Sequence, residues 1–210
     1  MVKIIERERK SAVLTPSSLP CLYRIPTVNL TMGCAHDCLY CYTQGYSVHP
    51  GDGKVIVYTN LPELVREELR RKRRKPTSIY FSSASDLFQP IPKTLDLAYD
   101  VLREIFANGI GVSFLTKGII PRRHMSLLQE NSTLVRAQIG LITLDDRLLQ
   151  TFEPNAAPAQ VRVKQLRQLA ESGIETQIRI DPILPSLTDN ERTFRDICRA
   201  ATDAGAGAVA

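Results

Sequence analysis

"TVNLTMGCAHDCLYCY", residues 27–42, runs a short strand-forming segment straight into a loop that holds three cysteines in eight positions. Thr27, Val28 and Thr31 are β-branched and suit a pleated strand, read here over 27–31. The spacing Cys34-x3-Cys38-x2-Cys41 is too dense for packing to explain. Thiolates are soft ligands that suit iron–sulfur clusters and zinc. Electron-transfer clusters take four cysteines. Three leave one iron without a protein ligand, open to a substrate or cofactor. Zinc is the alternative, with His36 as fourth ligand, although His36 lies inside the first three-residue gap. Cys21 is a more distant fourth candidate. Five cysteines, an odd number with three crowded together, argue against a disulfide scaffold and for a reducing compartment.

Outward from this loop, strand and helix alternate. A minor strand is read at 55–58 and a helix at 62–74. "TSIYFSS" (77–83) is a strand and 93–109 a helix stopped by glycine. "IGVSFLT" (110–116) is a strand, 122–131 a helix, "LVRAQIGLIT" (134–143) a strand, 157–173 a helix ending at Gly173, "IETQIRIDPIL" (174–184) a strand and 190–205 a helix capped by Asp189 or Asn190. Repeated alternation predicts a parallel sheet with right-handed crossovers. No Gly-x-Gly-x-x-Gly turn is present, so a dinucleotide-binding fold is disfavoured. The expected class is α/β: a partial (β/α)6-type TIM-like barrel of parallel strands, cut at the sixth strand, where "AGAGAVA" (204–210) begins. Residues 1–26 read as an N-terminal extension and 27–210 as the core domain.

With 43% hydrophobic and 23% charged residues the composition is that of a globular domain. No apolar run approaches the ~20 residues needed to span a bilayer. "MVKIIERERKSAVL" lacks an apolar signal core, so a cytoplasmic protein without membrane contact is expected. The net charge of +5 is local, because "RRKRRK" (70–75) holds six cations and the remaining charges nearly cancel. The run reads either as the last turn of a helix, with Asn60 as its cap and Pro62 in its first turn, or as a nucleic-acid patch, Arg70–Lys75. His49 and His124 read as surface or structural residues, and Cys198, beside Ile197, as a buried structural thiol.

Cys-x3-Cys-x2-Cys, with Tyr40 before the last cysteine, resembles the radical S-adenosylmethionine (SAM) superfamily. The wider pattern resembles its spore photoproduct lyase-like branch, also named DNA repair photolyase-like. The resemblance rests on "NLTMGCAHDCLYCY" (29–42), "YFSSASDLFQP" (80–90), "FLTKG" (114–118), "FEPNAAP" (152–158) and "DPILPSLTDNE" (181–191), and runs from about residue 27 onward.

The resemblance implies a [4Fe-4S] cluster on Cys34, Cys38 and Cys41, with SAM on the open iron. A one-electron reductant such as flavodoxin or ferredoxin would drive reductive cleavage of SAM to a 5′-deoxyadenosyl radical. That radical would abstract hydrogen from an unidentified substrate, with nucleic acid a candidate. By the same resemblance Tyr40 and Tyr42 would meet adenine or ribose, Ser85 and Asp86 the SAM amino group, Lys117 the carboxylate or ribose, and Thr143 the ribose. Glu153 would brace the ribose loop or cap the next segment. Arg179 and Asp181 alternate with apolar residues on the fifth strand and are expected to point inward. In spore photoproduct lyases proper, a cysteine two residues before the Ser-Asp pair returns hydrogen to the product radical; here that position is Ser83. The alternatives are a DNA lesion repair lyase, acting on spore photoproduct or a similar lesion, and, in another class, an iron–sulfur protein that binds nucleic acid or senses redox state.

Overall fold

A computed structural model describes residues 2–16, 22 and 25–210. Expectations that concern Cys21 lie outside the described residues. The main sheet orders β10(Ala208–Val209), β9(Glu175–Arg179), β8(Val135–Gly140), β7(Gly111–Thr116), β6(Ser78–Phe81), β3(Pro26–Val28) and β2(Thr15–Pro16). All neighbours run parallel except β2, which pairs antiparallel with β3. Six parallel strands in consecutive order, open at the edges, are the expected partial barrel. Between them lie α1(Leu61–Arg71), α2(Pro92–Ala107), α3(Arg122–Glu130), α4(Asp146–Phe152), α5(Ala159–Glu171) and α6(Glu191–Asp203).

Each central strand alternates faces. Val112, Phe114, Val135, Ala137, Ile139 and Ile178 turn to the helix-covered side and join one core with Leu102, Ile105, Leu166 and Leu169. α2 packs on β7, and α5 on β8 and β9. The other face carries Tyr80, Ser113, Gln138 and Gln177, all half-buried and mostly polar. Closed barrels fill that interior with branched apolar side chains; this one does not.

The expected strand at 27–31 is split. β3 ends at Val28, and after buried Leu30 the chain passes into β4(Thr31–Met32) of a second sheet. There β5(Lys54–Tyr58) sits between β1(Lys3–Arg7) and β4, parallel to the first and antiparallel to the second. Lys3–Arg7, read as part of an extension, thus pairs along the whole of β5.

Four local expectations are corrected. Asn60 does not cap α1: its amide pairs with the backbone of Arg9, accepting from its N–H at 2.8 Å and donating to its carbonyl at 3.1 Å. α1 ends at Arg71, so Lys72–Lys75 lie beyond it on an exposed connection. α4 was not foreseen; Asp145 caps it by accepting from the N–H groups of Arg147 and Leu148. Cys198 is exposed while Ile197 is fully buried, because one residue turns a helix by about 100°. At α6 the cap is Asn190. Among the described residues no helix is long and apolar enough to cross a membrane.

Candidate active site

Gly33 makes the turn into the cysteine loop. Its φ of +81° suits glycine, and a Cβ there would stand 2.7 Å from the carbonyl oxygen of Lys54. The loop is then pinned to two others. Ala35 donates its N–H to Gln89 Oε1 at 2.9 Å, and the Gln89 amide donates to Thr31 Oγ1 at 2.8 Å and to the Asp86 carbonyl at 3.1 Å. Leu39 N–H reaches the carbonyl of Phe152, and Asn155 N–H that of His36. Cys34, Cys38 and Cys41, all half-buried, line one cavity with Thr43, His49 and Gly51. His49 accepts the Gly51 N–H through Nδ1.

Burial pushes the Cys34 thiol well up, and the nearby Asp86 carboxylate adds to the effect. Burial likewise pushes Cys38 up to about 12, against the pull of Lys117. Thiols in such surroundings need a cationic partner to ionise. His36 offers none of its ring to them, since Nδ1 donates to the Asn155 carbonyl at 3.0 Å and Nε2 stands 3.3 Å from Asp86 Oδ2. No group of three or more His, Cys, Asp or Glu among the described residues is compact enough for a single ion. Three soft thiol ligands lining one cavity, with no single-ion group among the described residues, suit a cluster.

Asp86 is buried and turns both oxygens into the protein. Oδ1 accepts from Phe88 N–H and Thr116 Oγ1, each at 2.7 Å, and Oδ2 from Lys117 N–H at 2.8 Å. Burial raises its carboxyl, but His36 and these donors win and hold it below the usual carboxylate range. Ser85 Oγ is buried and finds no hydrogen-bond partner. β8 ends at Gly140, short of the expected 143, so Thr143 lies buried in the segment that follows the strand, its Oγ1 accepting from Asp145 N–H at 3.1 Å. Lys117 lays its chain over Gly140, where an added Cβ would lie 3.0 Å from its Cγ. Its Nζ stands 5.4 Å from the centre of the Tyr40 ring, 3.9 Å from Glu153 Oε1 and 3.3 Å from the Asp181 carbonyl.

Glu153 and Arg162 form a fully buried ion pair at 2.5 Å. Tyr40 donates its hydroxyl to Glu153, and burial together with that carboxylate raises the phenol far above its ordinary value. Arg162 also donates to the carbonyls of Ala157 at 2.7 Å and Gly140 at 2.9 Å. Tyr42 is exposed; its hydroxyl donates to the Ser83 carbonyl and its ring meets Tyr46 edge-on. Arg179 and Asp181 do not both point inward from the fifth strand as expected: β9 ends at Arg179, Asp181 lies beyond it, and the two pair at 3.3 Å with both side chains substantially exposed. His124 is fully buried and bonds the Leu95 carbonyl at 2.8 Å, a structural role as expected.

Cys34, Cys38, Tyr40, Lys117 and Glu153 therefore share one neighbourhood, with Ser85, Asp86 and Thr143 at the same strand ends. Sequence reasoning missed Gln89, Arg162 and Gly140. Arg162 had a signal: it falls on the apolar stripe Ala159, Leu166, Leu169 of its helix, where an unpaired cation is not tolerated.

Residues 28–201 match the Radical SAM superfamily. The chain belongs to that superfamily. The radical SAM core is accordingly an enzyme core whose cofactors are a [4Fe-4S] cluster and SAM. An uncharacterised protein of Mycobacterium tuberculosis is 27% identical over 216 residues, covering 99% of this chain and 63% of that relative. A protein of Pseudomonas phage M6 named radical SAM Nalpha-GlyT isomerase is 28% identical over 159 residues, 75% of this chain and 33% of its own. A mutant spore photoproduct lyase superposes with a TM-score of 0.71 at 20% identity, covering 94% of this chain and 57% of the lyase. Another mutant of that lyase, carrying bound SAM and dinucleoside spore photoproduct, gives 0.66 at 19% identity, 94% of this chain and 57% of the lyase. At such identities the likeness is one of fold. The radical SAM chain thus spans under two thirds of the length of these proteins.

Proposed function

We propose that the chain is the radical-generating core of an enzyme that takes a hydrogen atom from a nucleic-acid base. The observation that carries the radical-generating core is the cavity shared by Cys34, Cys38 and Cys41, together with the buried, unpartnered Ser85 hydroxyl next in sequence to Asp86, whose carboxylate acts on Cys34. The three thiols would hold the cluster, which with SAM supplies a 5′-deoxyadenosyl radical after one-electron reduction by a flavodoxin- or ferredoxin-type donor in a reducing, cytoplasmic setting. Ser85 Oγ meets the SAM ammonium. Asp86, whose oxygens are engaged by the protein, positions that turn from behind. Lys117 Nζ faces the SAM carboxylate or ribose, and the Thr143 hydroxyl, which still has its hydrogen to give, meets the ribose. Tyr40 serves through Glu153, tying the cysteine loop to the loop before α5, and Tyr42 flanks the mouth beside Ser83.

Support for the substrate class comes from the name of one structural neighbour, a lyase complexed with a dinucleoside lesion. Lesion repair by cysteine-mediated hydrogen return is the weaker reading, because Ser83 stands at the donor position and an O–H bond gives up hydrogen to carbon far less readily than S–H. Anaerobically reconstituted, dithionite-reduced protein is to be incubated with SAM and oligothymidylate deuterated on the base. Deuterium in the 5′-deoxyadenosine is the expected result. Unlabelled 5′-deoxyadenosine alone would refute the substrate class. Given dinucleotide spore photoproduct instead, the protein should not restore thymines at a useful rate.

A further inference from the structure

We propose that the open face of the sheet holds a nucleobase-reading floor built from Tyr80, Gln138 and Gln177. This inference rests on the nucleic-acid reading above and names the part of the site that would recognise the base. Gln138 and Gln177 are register partners on β8 and β9, and Gln138 donates its amide to Gln177 Oε1 at 2.6 Å. Tyr80 on β6 donates its hydroxyl to Gln138 Oε1 at 3.4 Å. The row is ordered in one direction: each oxygen is used, and the Gln177 amide keeps both hydrogens and Gln138 one. All three side chains are half-buried on the face away from the helices, with Leu115 and Ser113 beside them on β7.

The place of this row is set by the sheet. Gln138 precedes Gly140 by two residues, and Gly140 is where the Lys117 chain crosses the end of β8. The floor therefore lies directly beneath the layer that holds Lys117, on the same face of the sheet. The chemistry is neutral. Arg136 is paired with Glu175 at 2.7 Å at one end and Arg179 with Asp181 at 3.3 Å at the other. Among the described residues, phosphate finds no unpaired cation in the row. Amide N–H groups side by side suit a planar, uncharged ligand that presents carbonyl oxygens, and Leu115 supplies apolar contact for a ring face. A carbonyl-bearing base such as thymine has that edge; adenine lacks it.

The test reads binding, so its outcome is separable from hydrogen abstraction. Cluster- and SAM-loaded protein is titrated with thymidylyl-thymidine, with deoxyadenylyl-deoxyadenosine and triglycine as comparators. Gln177→Leu and Gln177→Glu should each weaken the thymine dinucleotide at least tenfold, while Gln129→Leu on the outer surface should not. Gln177→Glu is decisive. It keeps the oxygen that Gln138 needs, so a merely structural Gln177 would tolerate it, whereas a base-reading Gln177 loses its donors. Unchanged binding in Gln177→Glu overturns the proposal. So does a wild-type protein that fails to saturate with the thymine dinucleotide, or that binds triglycine or the adenine dinucleotide as well. Tight, Gln177-dependent binding without deuterium transfer would leave the floor standing and remove the catalytic reading.

Discussion

Gly140 has no side chain where Lys117 needs room. A methyl group there would lie 3.0 Å from Lys117 Cγ and 3.3 Å from its Nζ, so Lys117 must shift. Gly140→Ala should therefore weaken SAM binding about tenfold, the scale of removing one charge-assisted hydrogen bond, with little change in folding. Calorimetric titration of SAM into the reconstituted protein checks this. Asp86 gives a second prediction at this scale. Its folded carboxyl titrates below the unfolded value of about 3.9. As pH falls, the unfolded chain takes up its proton first. The stability that Asp86 contributes is present above about pH 4 and is lost as pH drops through the lower folded value. Asp86→Asn should flatten that acid limb in a denaturant series and cost about 1–3 kcal/mol, because an amide nitrogen then faces N–H donors.

At the scale of elements, most of the sheet was legible. Alternating strands such as "GVSFLT" and apolar helix faces such as Leu97, Val101, Leu102 and Ile105 record burial directly in the sequence. What was not legible depended on pairing between distant segments. β1 is five residues of mixed charge that become a strand only because β5 lies alongside. α4 is seven residues, too short to show a helical period. Asn60 looked like a cap but is held by Arg9, fifty-one residues away. In the site, the cysteines were readable because their spacing is local, whereas Gln89, and Tyr40 on Glu153, act through long-range contacts; the Glu153–Arg162 pair needs the turn between α4 and α5 to bring its two members together. That pair ties α5 to the cysteine loop. Glu153→Ala should leave the Arg162 charge buried and unpaired, costing about 3–5 kcal/mol, as read from chemical denaturation. A loss below about 1 kcal/mol would mean that water reaches Arg162.

Across the whole molecule, the two ends of the sheet differ. The cysteine loop, Ser85, Lys117 and Thr143 gather where the parallel strands end. Arg70–Lys75 lies where β6 begins, on the opposite rim, with Lys75 donating to Asn108 at 2.7 Å at the end of α2. A base in the site and a phosphate on this run would need a strand that wraps the domain. Replacing Arg73 and Arg74 by serine should lower duplex affinity and the salt slope, by about one unit for each phosphate deprived of its cation, without changing the yield of 5′-deoxyadenosine. Fluorescence anisotropy across a salt series measures the first and chromatography the second.

The central claim is that three cysteines hold a cluster that cleaves SAM. Its most direct test is 5′-deoxyadenosine formed from SAM by the dithionite-reduced, reconstituted protein. The account predicts 5′-deoxyadenosine and methionine from the wild type and from Cys198→Ala, and neither from Cys34→Ala, Cys38→Ala or Cys41→Ala, which should also lose the cluster's absorbance. An assembled cluster that yields no 5′-deoxyadenosine, or product from Cys38→Ala equal to that of the wild type, would contradict it.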